Sequence, residues 1–137
     1  MDHLPKTRIL IVEDNLDDVE LLMRQLKKAN LGEQVMAIND GRLAMDFLAL
    51  PEADHLVALF LDLKLPSMSG LQLLENIRSH DKRRNLPVIV MTSSNSSEDL
   101  QKCKDLRVLS YVQKPVTFEA FSKAVASTFH RTDTATT

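Results

Sequence analysis

A chain of 137 residues is expected to form one domain of ordinary size, without room for a second folded module. Its 44% hydrophobic content is enough to fill a core without a disulfide or metal staple. With 17 basic against 19 acidic residues, the net charge of −2 leaves no electrostatic footprint for nucleic acid or an anionic membrane surface. Cys103 is the single cysteine, so an internal disulfide is excluded, and with no histidine near it in sequence it reads as a small buried apolar residue. The start Met1-Asp-His-Leu-Pro-Lys6 has neither the basic end nor the apolar centre of a signal peptide, and no apolar run approaches the ~18 residues that span a bilayer. These features predict a cytoplasmic protein.

In chain order, Ile9-Leu-Ile-Val12 is a short continuous apolar run, the pattern of a parallel strand buried on both faces. Leu16, Val19, Met23 and Leu26 follow at steps of three and four and predict a helix, started by Asn15 or Asp17 and ended by Asn30-Leu-Gly32. A weaker strand is expected around Gln34 to Ile38. Asn39-Asp40-Gly41 then turns into a helix carrying Leu43, Phe47 and Leu48 and closed by Pro51.

Val57-Ala-Leu-Phe-Leu61 is the next strand. The segment Leu63-Lys-Leu-Pro-Ser-Met-Ser-Gly70 reads as a loop, and Leu71, Leu74 and Ile77 mark the helix after it. The polar stretch Ser79 to Asn85, basic cluster included, reads as a solvated connection. Val88-Ile-Val-Met91 is the fourth strand, Leu100, Cys103 and Leu106 mark the fourth helix, and Ser110-Tyr-Val-Gln113 is a short fifth strand. Phe118, Phe121, Val125 and Phe129 are expected on the core face of the last helix, with 131–137 a flexible tail.

Five strands alternating with five helices predict a doubly wound α/β sheet, whose ligands bind beyond the carboxyl ends of the strands. At those ends stand Glu13 and Asp14, then Asp62, then Thr92 and Ser93, then Lys114 and Pro115. Read singly, each is ordinary: Asp14 fits a helix cap, Thr92 a strand end, Lys114 a solvated cation. Together they bring three carboxylates, a hydroxyl and an ammonium to one sheet edge. Two like charges 4 Å apart repel by roughly 4 kcal/mol at an effective dielectric of 20, so such a site calls for protonation or a cation. A hard divalent ion such as Mg²⁺ fits oxygen donors of this kind and leaves positions open for a phosphate. Phosphoryl transfer follows as the expected chemistry, with Asp62, at the tip of the central strand, as the nucleophile.

The motifs Ile9 to Asn15, Leu61-Asp-Leu-Lys-Leu-Pro66 with Gly70, Val88 to Ser93 and Tyr111-Val-Gln-Lys-Pro115 resemble the receiver domain of two-component response regulators, from about Lys6 to Phe129. The spacings of 30 positions from Asp62 to Thr92 and 22 from Thr92 to Lys114 match as well. The resemblance implies a flavodoxin-like five-stranded parallel sheet in the order 2-1-3-4-5 with five helices, occupying residues 7–130 after an extension of residues 1–6. It implies that Asp62 is the phosphoacceptor for a histidine kinase or phosphotransfer protein. Asp14, Asp62 and the Lys64 backbone carbonyl would hold Mg²⁺, with Glu13 acting through a water. Lys114 would pair with the phosphoryl group, and its peptide bond to Pro115 is expected to be cis. Thr92 and Tyr111 would form the switch pair, although Tyr111 also fits an ordinary strand residue. Lys64 and Ser94 occupy positions that tune hydrolysis of the acyl phosphate; Lys64 could pair with Glu13 or stay solvated.

The resemblance thus implies a phosphoacceptor that assists its own phosphorylation and dephosphorylation rather than an enzyme. The opening Val12 to Glu20 and Thr92-Ser-Ser94 are similar to stand-alone regulators paired with phytochrome-type histidine kinases, whose frequent dimers imply self-association here. Output is then expected as phosphorylation-dependent binding of a downstream protein at the receiver's own surface. Two other readings compete: an aspartyl-phosphate hydrolase of the haloacid dehalogenase type, which needs an acid where Lys64 stands and a cap, and a phosphorylation-independent interaction module. The latter has no use for mutually repelling carboxylates.

Overall fold

A computed structural model describes residues 6–136, with side chains as far as residue 128. The expected extension before residue 6, the Phe129 side chain and the side chains of the expected tail 131–137 lie outside the described residues.

The three apolar runs form β1 (Ile9–Val12), β3 (Ala58–Leu61) and β4 (Val88–Thr92), and every residue of all three is buried. β2 (Val35–Ile38) and β5 (Ser110–Gln113) are more open, as suits edge strands. All neighbours pair in parallel in the order β2-β1-β3-β4-β5. The helices are α1 (Leu16–Lys28), α2 (Gly41–Leu48), α3 (Gly70–Ser79), α4 (Ser97–Asp105) and α5 (Phe118–Thr136). The backbone of α5 therefore continues as helix into the stretch expected to be a tail.

Side chains alternate across the strands and build a core on each face of the sheet. Leu10, Val12, Leu59, Leu61, Val88 and Val90 pack with Phe47 of α2, Leu73, Leu74 and Ile77 of α3 and Cys103 of α4. On the other face Ile9, Ile11, Phe60, Ile89 and Met91 meet Leu22 and Leu26 of α1 and Phe121 and Ala124 of α5. The Phe60 and Phe121 rings stand 5.5 Å apart at 38°, joining the central strand to the last helix.

Phe118, expected on the core face of the last helix, is exposed at 59%, and Leu16 and Leu43, which mark the first two predicted helices, are exposed at 74% and 55%. All three fall in the first turn of their helices. Each helix begins beyond the carboxyl edge of the sheet, so its first turn has the right phase but no sheet beneath it. The Lys28 ammonium stands over one face of the exposed Phe118 ring, 5.7 Å from its centroid.

The polar connection after α3 also departs from expectation, because Arg83 is 4% exposed. Its guanidinium donates to the carbonyls of Leu48 and Leu50 at 3.2 Å each and to Asp54 Oδ1 at 2.7 Å. This arginine ties the connection to the end of α2 and is not solvated.

Candidate functional site

The ladder extends one residue past several strands and fixes the groups that follow. Glu13 N–H donates to the Ile38 carbonyl at 3.0 Å, Asp62 N–H to Val12 at 3.0 Å and Lys114 N–H to Thr92 at 2.7 Å. Residues from three strand ends, distant in sequence, thus share one edge.

Lys114 Nζ is the centre of the arrangement. It donates to Glu13 Oε1 at 2.6 Å and Asp62 Oδ2 at 3.0 Å, and it pairs with Asp18 Oδ2 at 2.8 Å. Burial opposes the charge on Lys114, but its bonds to Asp18, Glu13 and Asp62 carry its pKa above the usual lysine range. Glu13 is 1% exposed, and burial pushes its carboxyl up to about 7 against the opposing pull of Lys114 and the Asn15 N–H. Lys114 is joined to Pro115 by a cis peptide bond, as expected.

Glu13, Asp14 and Asp62 each present a carboxylate oxygen within 4.8 Å of the other two. Asp14 is exposed and opens the cluster to solvent, while Glu13 and Asp62 are buried. Hard oxygen donors of high negative density, reachable from one side, are a donor set that fits Mg²⁺. Asp62 Oδ1 accepts from the Lys64 N–H at 3.1 Å, which folds the following loop back over the carboxylate. Gly70 is needed there, because a Cβ would collide with the Asp62 carbonyl oxygen and lie 2.6 Å from Leu63 Cα. The Lys64 side chain is exposed, and the cation partner of Glu13 is Lys114.

Thr92 is fully buried at the end of β4, and its Oγ1 accepts from the Ser94 N–H at 3.2 Å. The Tyr111 hydroxyl donates to the Ser94 carbonyl at 3.1 Å, and burial raises the pKa of that phenol. Ser94 Oγ donates to Asp99 Oδ2 at 2.7 Å, so the β4–α4 loop is joined to both β5 and α4. Of the residues picked from sequence, Glu13, Asp14, Asp62 and Lys114 form one cluster, whereas Thr92, Ser94 and Tyr111 form a second hydrogen-bonded group. Asp18 was not among them: an acid in the first turn of a helix is commonly explained by the helix dipole, and that reading hides its bond to Lys114.

Residues 9–126 match the family described as "Response regulator receiver domain". The chain belongs to that family. Phosphorylation and Mg²⁺ binding in two-component signalling are typical of receivers. This receiver is 34% identical over 120 residues to the probable methanogenesis regulatory protein FilR2 of Methanothrix harundinacea (strain 6Ac), covering 85% of this chain and 77% of that protein. It is 30% identical over 114 residues to response regulator Rcp1 of Synechocystis sp. (strain ATCC 27184 / PCC 6803 / Kazusa), covering 80% and 78%. The Mn²⁺-bound structure of Rcp1 superimposes with a TM-score of 0.75 at 28% identity, over 90% of this chain and 94% of that one. The bacteriophytochrome response regulator AtBRR gives 0.71 at 36% identity, over 91% and 94%. Several other curated relatives are longer, and the receiver spans less than half their length.

Proposed function

We propose that residues 7–130 act as a phosphorylatable receiver whose acceptor is Asp62. One observation carries the reading: the Lys114 ammonium bonds at once to Asp62 and Glu13, inside a cluster of three carboxylates at the carboxyl edge of the sheet. An Asp62 oxygen attacks the phosphorus of a phosphohistidine; the P–N bond breaks, an acyl phosphate forms and the imidazole leaves. Lys114 holds a phosphoryl oxygen and offsets its charge. Asp14, Asp62 and the Lys64 carbonyl would hold Mg²⁺, with Glu13 engaged through a water. When bound, that ion supplies charge neutralisation at the transferring phosphoryl group.

Thr92 and Tyr111 are the readout. A Thr92 hydroxyl drawn toward the phosphoryl group gives up its contact with the Ser94 N–H, and the Tyr111 hydroxyl is anchored on that same residue. Lys64 and Ser94 set the lifetime of the acyl phosphate. The donor is a sensor histidine kinase of the phytochrome-associated type, a reading supported by the 36% identity with AtBRR. The phosphorylated protein, cytoplasmic and self-associating, then changes its binding to a downstream protein.

The test is incubation with acetyl phosphate or a phosphorylated kinase, with and without Mg²⁺, followed by intact mass. One Mg²⁺-dependent phosphoryl adduct, absent in Asp62→Asn, is the expected result. No adduct with any donor favours a phosphorylation-independent interaction module, and release of free phosphate from many small phosphate esters favours a hydrolase.

A further inference from the structure

The loop between β3 and α3, which carries Lys64, is fastened at both ends. At its start the Lys64 N–H donates to Asp62 Oδ1. At its far end it docks on the N-terminus of α2, an element that contributes none of the cluster's groups. Asp40 caps α2 through Oδ1, which accepts from the N–H groups of Arg42 at 2.8 Å and Leu43 at 3.1 Å. That same oxygen accepts a third bond, from Ser67 Oγ at 2.7 Å, across the gap to the loop. Ser67 Oγ accepts in turn from Arg42 N–H at 3.3 Å, and Gly41 N–H donates to the Pro66 carbonyl at 3.2 Å.

Two further observations set this contact apart from routine capping. Ser67 has φ 61°, a left-handed conformation that disfavours a non-glycine residue, and its bonds to α2 hold it there. Gly41 lets the loop approach closely, since a Cβ on it would collide with the Met68 carbonyl oxygen. An N-cap needs neither feature. The Ser67 bond also draws the Asp40 carboxyl below its usual range.

We infer that Asp40 and Ser67 form a clasp that positions the 64–67 segment over Asp62, making both positioning residues for cation binding and phosphoryl acceptance. The inference rests on the phosphoacceptor reading above. Ser67→Ala removes the clasp and leaves the α2 cap intact. Ser67→Gly removes it and the φ strain together. Asp40→Asn keeps the accepting oxygen, and Asp40→Ala does not.

The readouts are the Mg²⁺ dissociation constant from NMR titration, amide hydrogen exchange of residues 64–68 without metal, and the melting temperature. Ser67→Ala, Ser67→Gly and Asp40→Ala are expected to weaken Mg²⁺ binding by roughly threefold to tenfold. Exchange should accelerate in the loop, while Asp40→Asn stays near wild type. Ser67→Ala should melt close to the wild-type temperature. Unchanged Mg²⁺ affinity and loop exchange in Ser67→Ala, beside a wild type that binds Mg²⁺ and is phosphorylated, overturn the clasp alone. So does acceleration spread evenly over the sheet amides. A wild type that neither binds Mg²⁺ nor accepts a phosphoryl group removes the phosphoacceptor reading, and the clasp's role with it.

Discussion

Lys114 Nζ and Asp62 Oδ2 are 3.0 Å apart although they lie 52 positions apart in the chain, and the ammonium is shared with Glu13 and Asp18. On the proposed function, a cation held by three acids on a rigid sheet edge needs little rearrangement to meet a phosphoryl group on Asp62. Replacing Lys114 with Ala should slow phosphorylation by acetyl phosphate about tenfold to a hundredfold, the range for one hydrogen bond to a charged group. Lys114→Arg should recover part of the rate. Time courses by intact mass at saturating Mg²⁺ decide this; a wild-type rate in Lys114→Ala excludes the role.

Mg²⁺ should also stabilise the unphosphorylated protein. Glu13, Asp14 and Asp62 lie within 4.8 Å of one another, and Lys114 offsets only part of their charge. At ten times its dissociation constant a ligand specific for the folded state adds about 1.4 kcal/mol. In a domain of this size that raises the melting temperature by about 4–6 °C. Asp14→Asn should lose most of the rise, and chelation of the metal should reverse it in the wild type. A melting temperature insensitive to Mg²⁺ contradicts the assignment.

β1, β3 and β4, with Glu13 and Asp62 after the first two, were legible because each is a local pattern, an apolar run bounded by a polar residue; Lys114 was placed by the alternation that leads to β5. Reading each ladder forward by one position was enough to gather them. What escaped is where an element outruns its partner. Leu16, Leu43 and Phe118 keep the helical phase of their neighbours, yet phase does not reveal that the sheet has ended. Asp18 and Arg83 escaped for a related reason: a charge in a first turn or a polar loop looks solvated until its partner, distant in sequence, is known. The Asp40–Ser67 bond spans 27 residues between two stretches that read separately as turns.

Lys64 has an exposed side chain two residues after Asp62, while its backbone N–H holds the Asp62 carboxylate. Substituting Ala preserves the backbone bond and removes the ammonium with its methylene stem. Lys64→Ala should therefore leave phosphorylation intact and change the lifetime of the acyl phosphate. Decay of the intact-mass adduct after donor removal measures it, and indistinguishable decay curves would exclude a tuning role.

Arg83 offers a stability test away from the acidic cluster. Removing the guanidinium in Arg83→Met leaves the Leu48 and Leu50 carbonyls without that donor and should cost about 2 kcal/mol in urea unfolding. The pair it forms with Asp54 adds a pH signature. The Arg83 hydrogen bond, with help from Lys82 and His55, holds the Asp54 carboxyl below its ordinary 3.8. A carboxyl depressed in the folded state stabilises above the unfolded-state pKa and loses that contribution as the pH falls through the folded value. Wild type should accordingly exceed Asp54→Asn in stability near pH 6, with the gap closing as the pH drops below about 4. Urea midpoints for both proteins across that range measure the gap, and a difference that widened on acidification would have the wrong sign for this ion pair.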